Sequence, residues 1–97
     1  MFLNNNWTFG GEIVRLKDFG NDKGGNVMIR GTSNVGGVVE VSVFMNDKVF
    51  SKIVDRDDHK YQKINANGHF ELRVHETKGN NIKQSLKLIA DDFKWAS

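Results

Sequence analysis

Cationic and aromatic side chains recur on one face of the strands predicted in the first half of the chain. In VVEVSVFMN (residues 38–46) the side chains alternate with a period of two, so Val39, Val41, Val43 and Met45 form a core face and Phe44 points the other way. The predicted non-core set over three strands is Arg15, Lys17, Met28, Arg30, Ser42 and Phe44. Cations follow phosphates and aromatic rings stack on bases, so this set has the chemistry of a single-stranded nucleic-acid surface.

Two predicted loops add further candidates for the same surface. Phe19 and Lys23 fall in the first hairpin loop, and the last hairpin carries Arg73, His75, Lys78 and Lys83. For each residue alone, a solvated strand or loop is an equally good interpretation, and Phe44 could instead be buried beneath a helix. Glu40 repels phosphate, so it is expected to pair with Arg15 or Arg30 or to mark the edge of the surface.

Five strands and one helix must position these residues. Strands are predicted over Trp7–Asp18, Val27–Thr32, residues 38–46, His69–Glu76 and Ser85–Trp95, and a helix over Asp47–Gln62 that begins at the N-cap Asn46. Gly10 and Gly11 suggest a bulge in the first strand, Asn67-Gly68 is expected to end the helical segment, and in the last strand Leu86, Leu88 and Ala90 are predicted to point inward.

The order of these elements predicts an all-β fold, a five-stranded OB-fold Greek-key barrel with one helix between strands 3 and 4. Residues 1–97 are expected to form this single domain. The alternative is an α+β sandwich with the helix on one face of an open sheet, and periodicity does not exclude it.

Composition limits the class of protein. With 38% hydrophobic and 27% charged residues the chain is expected to be globular. It contains no cysteine, no basic-then-apolar leader and no apolar run near the ~18 residues of a membrane span. A cytoplasmic location is therefore expected. The net charge of +2 permits a nucleic-acid partner without requiring one.

The chain resembles the bacterial and phage single-stranded DNA-binding proteins. The resemblance rests on GGEIVRLKDF, VEVSVFMNDKVFSKI and GHFELRVHE, and it implies an OB-fold whose third strand ends in an aromatic residue, here Phe44, before a polar turn into the helix. The family's usual tryptophan early in this strand is replaced by Val38 and Val39. The end of the sequence, ADDFKWAS, lacks the family's acidic recruitment tail, so the resemblance implies a phage-type or divergent member.

Metal binding and catalysis find little support in the sequence. Asp55 and His59 in DRDDH are four residues apart on the predicted helix, but the spacing matches no calcium loop and a solvated helix end is the simpler interpretation. The histidines and serines fall in no nucleophile or phosphate-loop motif. No metal, no cofactor and no enzymatic activity are expected.

Two functions follow from these observations. The first is a protein that coats single-stranded DNA, or alternatively RNA, with little sequence preference, and protects it during replication, recombination or repair. Such a protein is expected to form a homodimer or higher oligomer and to have no membrane partner. The alternative is an OB-fold interaction subunit of a nucleic-acid-processing assembly, with Phe44, Trp95 and the acidic DRDDH segment as its protein contacts.

Overall fold

Five strands close into a barrel in the order β1-β2-β3-β5-β4. The computed structural model describes residues 5–79 and 81–96. Its elements are β1 (Asn6–Asp18), β2 (Gly25–Thr32), β3 (Val38–Met45), α1 (Asp47–Val54), β4 (Lys63–Thr77) and β5 (Asn81–Trp95). The helix lies between β3 and β4, and β3 pairs in parallel with β5 while the other neighbours are antiparallel. This architecture confirms the predicted OB-fold and excludes the open sandwich.

One long strand closes the barrel. The first part of β1 pairs with β4 and its second part pairs with β2, and Glu12 is the residue that both pairings share. Alternate residues of the strands point inward to a core that includes Ile13, Ile29 and Val43. Trp7 and Phe9 are partly buried against this core, as expected of core aromatic residues.

The helix α1 is shorter than the sequence pattern indicated. The Asn46 side chain accepts a hydrogen bond from the Val49 N–H and caps the helix as predicted. The predicted continuation to Gln62 is wrong, because the helix ends at Val54 and the polar residues that follow form turns. Tyr61 has a positive φ of 68°, which no helix accommodates. The three buried helical residues are Val49, Phe50 and Ile53.

The last hairpin is longer than predicted and its inward face ends early. Both β4 and β5 have 15 residues, and the predicted break at Asn67-Gly68 lies within β4 as a register irregularity. Ala90 is buried as predicted and Leu88 is half-buried, but Leu86 is 60% exposed, so its inward assignment is wrong. Alternating apolar residues show which side chains share a face of a strand. They do not show how far a hairpin extends beyond the barrel.

The irregularity in β1 lies after the glycines and not at them. Gly10 and Gly11 pair continuously with β4, whereas the register against β2 shifts between Ile13 and Arg15. The glycines allow close approach of strands, since a Cβ on Gly11 would overlap the carbonyl oxygen of Arg30. The predicted bulge is therefore displaced toward Val14.

Among the described residues, no helix combines the length and the apolar character that crossing a bilayer would require.

Candidate nucleic-acid interface

The outward side chains of β1, β2 and β3 form three rows across the barrel. Strand pairing places residues of the same row directly opposite each other. The first row is Glu12, Arg30 and Glu40; the second is Arg15, Met28 and Ser42; the third is Lys17, Asn26 and Phe44. The six residues predicted as the non-core set therefore lie on one continuous surface.

The charged side chains of the first row form ion pairs with one another. Arg30 Nη2 lies 2.9 Å from Glu40 Oε1, and Arg30 Nη1 lies 3.8 Å from Glu12 Oε1. The hydrogen bond from Arg30 to Glu40 is the main reason that the pKa of Arg30 is raised above its ordinary value. The question about Glu40 is thereby answered, because this carboxylate pairs with Arg30. Arg30 is consequently a poorer partner for phosphate than an unpaired cation would be.

The second and third rows surround a small cleft on the barrel wall. The cleft has a volume of about 150 Å³ and is lined by Arg15, Lys17, Asn26, Met28 and Ser42. Arg15 and Lys17 are exposed, while Met28 is half-buried and forms an apolar floor between them. The described lining thus combines two cations with a polarizable thioether and includes no carboxylate.

Phe44 lies at the end of the third row in a cluster of aromatic and cationic groups. Its ring is half-buried and stacks on Phe19, with 6.2 Å between ring centroids and an interplanar angle of 16°. Lys87 Nζ lies 4.1 Å from the Phe44 ring centroid, and Lys17 Nζ lies 6.0 Å from that of Phe19. Cations over aromatic faces are favourable contacts of modest strength.

A second cleft continues the first toward the β4–β5 hairpin. It has a volume of about 270 Å³, and the residues that line it are Asn26, Ser42, Phe44, Arg73, Ser85, Leu86, Lys87 and Leu88. Because Asn26 and Ser42 line both clefts, the two clefts adjoin on the surface. This combined depression, from Arg15 to Arg73, is referred to below as the groove.

Some of the predicted loop residues lie away from the groove. His75 and Lys83 face each other across the hairpin near its tip, and Lys78 lies in the turn. Lys83 is six residues from Ile89, where β5 joins the barrel, which corresponds to about 20 Å along a strand. Lys23 lies in the β1–β2 loop without a position in either cleft. The structure therefore separates these four from the central set.

Sequence reasoning missed five residues that line the groove, namely Asn26, Ser85, Leu86, Lys87 and Leu88. Asn26 precedes the strand predicted over Val27–Thr32, but β2 begins at Gly25. Asn26 therefore lies in the third row, between Lys17 and Phe44. Lys87 alternates with leucines in β5, and only the packing of the hairpin beside β3 brings it over Phe44. Knowledge of the β4–β5 register would have placed Arg73 and Lys87 on the same ribbon face, opposite Leu72 and Leu86.

The other candidate contacts are engaged within the chain. Trp95 packs edge-on against Phe93 at 5.2 Å, and the Arg56 guanidinium lies 4.4 Å from the Trp95 ring centroid. Arg56 also pairs with Asp58 at 2.7 Å, and this hydrogen bond lowers the pKa of Asp58. In the described part of the chain, no cluster of three or more His, Cys, Asp or Glu side chains is placed to hold a metal ion. The DRDDH segment is thus a set of turns with internal contacts.

A histidine at the base of the hairpin has a carboxylate partner. His69 Nδ1 lies 2.9 Å from Asp91 Oδ1, and Nε2 lies 3.7 Å from Glu71 Oε2. The hydrogen bond with Asp91 is the main cause of a raised pKa for His69. The contact therefore stabilises the fold at acidic pH, and this contribution is lost as the pH rises through the raised pKa of His69.

The fold and the groove together define an OB-fold barrel with an open, cation-bearing outer face. No protein-family model matches the chain, and no curated protein matches its sequence. Solved structures do match. The mitochondrial single-stranded DNA-binding protein Rim1 of S. cerevisiae has a TM-score of 0.71 at 11% identity, over 95% of this chain and 94% of that one.

Two further structures share the fold over nearly their whole length. The N-terminal domain of PriB from Thermoanaerobacter tencongensis, solved as a dimer, has a TM-score of 0.68 at 14% identity, covering 98% of this chain and 99% of that one. The Plasmodium falciparum SSB in complex with single-stranded DNA has a TM-score of 0.59 at 14% identity, covering 100% and 98%. The chain therefore has the OB-fold of single-stranded DNA-binding proteins, as the sequence resemblance implied.

Proposed function

We propose that this chain binds single-stranded DNA along the groove with little sequence preference. Arg15, Lys17, Arg73 and Lys87 contact phosphates, and Phe44 with Phe19 provides the surface on which a base stacks. The proposed role is protection of exposed strands during replication, recombination or repair. The OB-fold shared with Rim1 and with the Plasmodium falciparum SSB–DNA complex supports this proposal.

One observation carries the proposal: a continuous groove joins an aromatic stack to four cations and has no carboxylate among its described lining residues. The carboxylates of this sheet face are confined to the first row, where Arg30 pairs with them. On the hairpin, Arg73 has a longer ion pair with Glu71, at 3.6 Å, so Arg15, Lys17 and Lys87 are the stronger candidates for phosphate contacts. Stacking accepts any base, and contacts to phosphates carry no sequence information. Binding with little sequence preference follows from this combination.

The proposal is tested by titration of an end-labelled oligo-dT, followed by fluorescence anisotropy over a range of salt concentrations. The label belongs on the DNA, because neither Trp7 nor Trp95 lines the groove and tryptophan quenching could miss binding. Four neutralised phosphates give an expected slope of log K against log salt of about −3, from ~0.7 per phosphate on single strands. Labelled oligo-U of equal length measures the preference between DNA and RNA.

The control for general charge is Lys94→Ala, an exposed lysine on β5 outside both clefts. Its loss is expected to leave the slope almost unchanged, whereas the double variant R15A/K17A is expected to reduce its magnitude by about 1.4. No binding of wild-type protein at low salt would contradict the proposal. The remaining function would then be the interaction subunit.

Replacing Glu40 with glutamine is expected to strengthen binding. The change removes a negative charge from the sheet face and releases Arg30 from its 2.9 Å ion pair. Exposed charge interactions contribute ~0.2–1 kcal/mol, so the affinity for oligo-dT should rise about 1.4- to fivefold at low salt and little at high salt. Glu76→Gln, near the hairpin tip, changes the net charge equally and serves as the control. A weaker Glu40→Gln protein would mean that Arg30 must be held in place by Glu40 to bind.

We also propose that the chain forms a homodimer through one face of the β4–β5 hairpin. Cross-strand pairing puts Phe70 beside Leu88 and Leu72 beside Leu86, and Val74 and Ile82 extend the same face toward the tip. Leu72, Val74, Ile82 and Leu86 are 58–70% exposed, and an apolar patch of this kind commonly marks an interaction site. These six residues are called the apolar hairpin face.

A second copy of the chain suits this face for a geometric reason. Arg73, Ser85 and Lys87 lie on the opposite side of the ribbon, so association through the apolar side leaves these groove residues uncovered and meets the groove only where Leu86 and Leu88 line it. Each exposed side chain offers on the order of 100 Å², so two copies bury about 800 Å² of apolar surface before the polar rim is added. That value approaches the ~1,200 Å² of small specific interfaces, and a weak dimer is expected.

The variant Leu72→Asp is expected to convert the dimer to a monomer. A carboxylate in the centre of the apolar hairpin face would be desolvated without a partner in the dimer, and this destabilises association strongly. Size-exclusion chromatography with light scattering at ~100 μM protein, well above a micromolar dissociation constant, gives the masses. Val35→Asp is the matched control, because Val35 is 87% exposed but lies in the β2–β3 loop. A monomeric wild type, or a dimer that persists in Leu72→Asp, would contradict the assignment.

A further inference from the structure

Tyr61 combines a strained backbone with a side chain that the fold does not bury. Its φ is +68°, a left-handed conformation in which any residue with a Cβ is disfavoured and glycine is the usual choice. The ring is 59% exposed. Strain of this kind persists only where the surrounding structure fixes it, and it occurs often at functional sites. The position therefore raises the question of what the ring does.

Hydrogen bonds to β1 fix the segment that carries Tyr61. The Tyr61 N–H donates to the carbonyl oxygen of Ile13 at 2.6 Å, and the Ile13 N–H donates to the Gln62 carbonyl oxygen at 2.9 Å. Lys60 Nζ lies 5.3 Å from the centroid of the Tyr61 ring. The ring and its neighbouring ammonium are thus held at the margin of β1, two residues from the row that contains Arg15.

A cleft separate from the groove lies beside this segment. It has a volume of about 450 Å³ and is lined by Ile13, Val14, Arg15, Leu16, His59 and Lys60. No carboxylate is among these described lining residues, and the nearby Asp58 is paired with Arg56. Arg15 lines both this cleft and the groove, so the two adjoin at its side chain.

We propose that a bound strand leaves the groove at Arg15, crosses β1 and is held at a second station in which Tyr61 stacks on a base and Lys60 contacts a phosphate. This inference rests on the proposed function and extends its site. The sequence DHKYQ contains an aromatic and cationic pair like that of Lys17 and Phe19 beside the groove. Only a longer strand can reach from the groove to the second station. The second station therefore determines how many nucleotides one chain binds.

The test compares Tyr61 variants on two lengths of labelled oligo-dT, one of about 5 and one of about 15 nucleotides, within the site sizes known for OB-folds. Tyr61→Gly removes the ring and relieves the backbone. Its melting temperature is expected to be equal to or above that of the wild type, while its affinity for the long oligonucleotide falls about tenfold and that for the short one is unchanged. Tyr61→Phe is expected to bind both like the wild type.

A second variant separates loss of the ring from any change in the stability of Tyr61→Gly. Tyr61→Asn tolerates the left-handed backbone and lacks the ring, so it should match Tyr61→Gly on both oligonucleotides. Equal affinities of wild type and both variants for the long strand would overturn the second station while leaving the groove intact. Failure of wild-type protein to bind either length would instead remove the proposed function itself.

Discussion

Phe44→Ala is expected to weaken binding of oligo-dT by about 10- to 100-fold without changing the salt dependence. Loss of one aromatic platform removes ~1–3 kcal/mol of stacking per base, and no cation is deleted. The ring is half-buried against Phe19, so the free energy of unfolding should also fall, by ~1 kcal/mol for the lost aromatic pair. Anisotropy titrations at several salt concentrations, with a urea melt of the same samples, measure the two effects.

Phe44→Leu separates stacking from folding. Leucine keeps most of the apolar volume between Phe19 and the Lys87 chain but offers no aromatic face, so it should fold normally and still bind weakly. Phe44→Tyr retains the ring and should bind like the wild type. If Phe44→Leu binds with wild-type affinity, the ring is part of the fold and not a platform, and the groove must hold bases elsewhere.

Gly68→Ala is expected to lower the free energy of unfolding by about 3 kcal/mol or more, as forced overpacking in a tight site does. A Cβ at this position would overlap the carbonyl oxygen of Ile89, with Ala90 directly behind it. The register between β4 and β5 shifts at Asn67 and Gly68, which places the two strands unusually close. Because the atoms in conflict belong to the backbone, no side-chain rotation can relieve the overlap. Thermal and urea unfolding followed by circular dichroism give the magnitude.

The matched control is Gly37→Ala in the β2–β3 loop. There the added Cβ meets only the Ser33 hydroxyl at an ordinary 3.6 Å. This variant is expected to unfold within ~0.5 kcal/mol of the wild type, as surface changes usually do. Equal stability of Gly68→Ala and Gly37→Ala would show that β4 and β5 can shift relative to each other at little cost. In that event the position of Lys87 over Phe44 could not be a rigid feature.

The sequence was sufficient to predict the barrel and its outer face. Alternation in β1, β2 and β3 assigns Arg15, Met28 and Ser42 to one side of the sheet, and the structure places them in a single row. That inference succeeds because strand periodicity is local and the three strands are joined by short loops. The same logic brought Phe44 to the outer surface without knowledge of its neighbours.

Features that depend on distant pairing could not be predicted in this way. The ion pairing of Arg30 requires Glu12 and Glu40 from two other strands. The length of the hairpin could not be predicted from the sequence. Apolar residues such as Leu86 alternate with polar ones both in a barrel wall and in a two-stranded ribbon outside the barrel. Tyr61 looked like the end of a helical stripe, since spacing alone does not reveal a left-handed residue.

The two faces of the β4–β5 hairpin connect the separate proposals. Arg73 and Lys87 on one side belong to the groove, Leu72 on the other side belongs to the proposed contact between copies, and Leu86 belongs to both surfaces. In a dimer built this way, each ribbon is a short spacer between two grooves, and a strand held in one groove is at a high effective concentration for the second. Overall avidity can then exceed the affinity of either groove by orders of magnitude, although each groove binds weakly on its own.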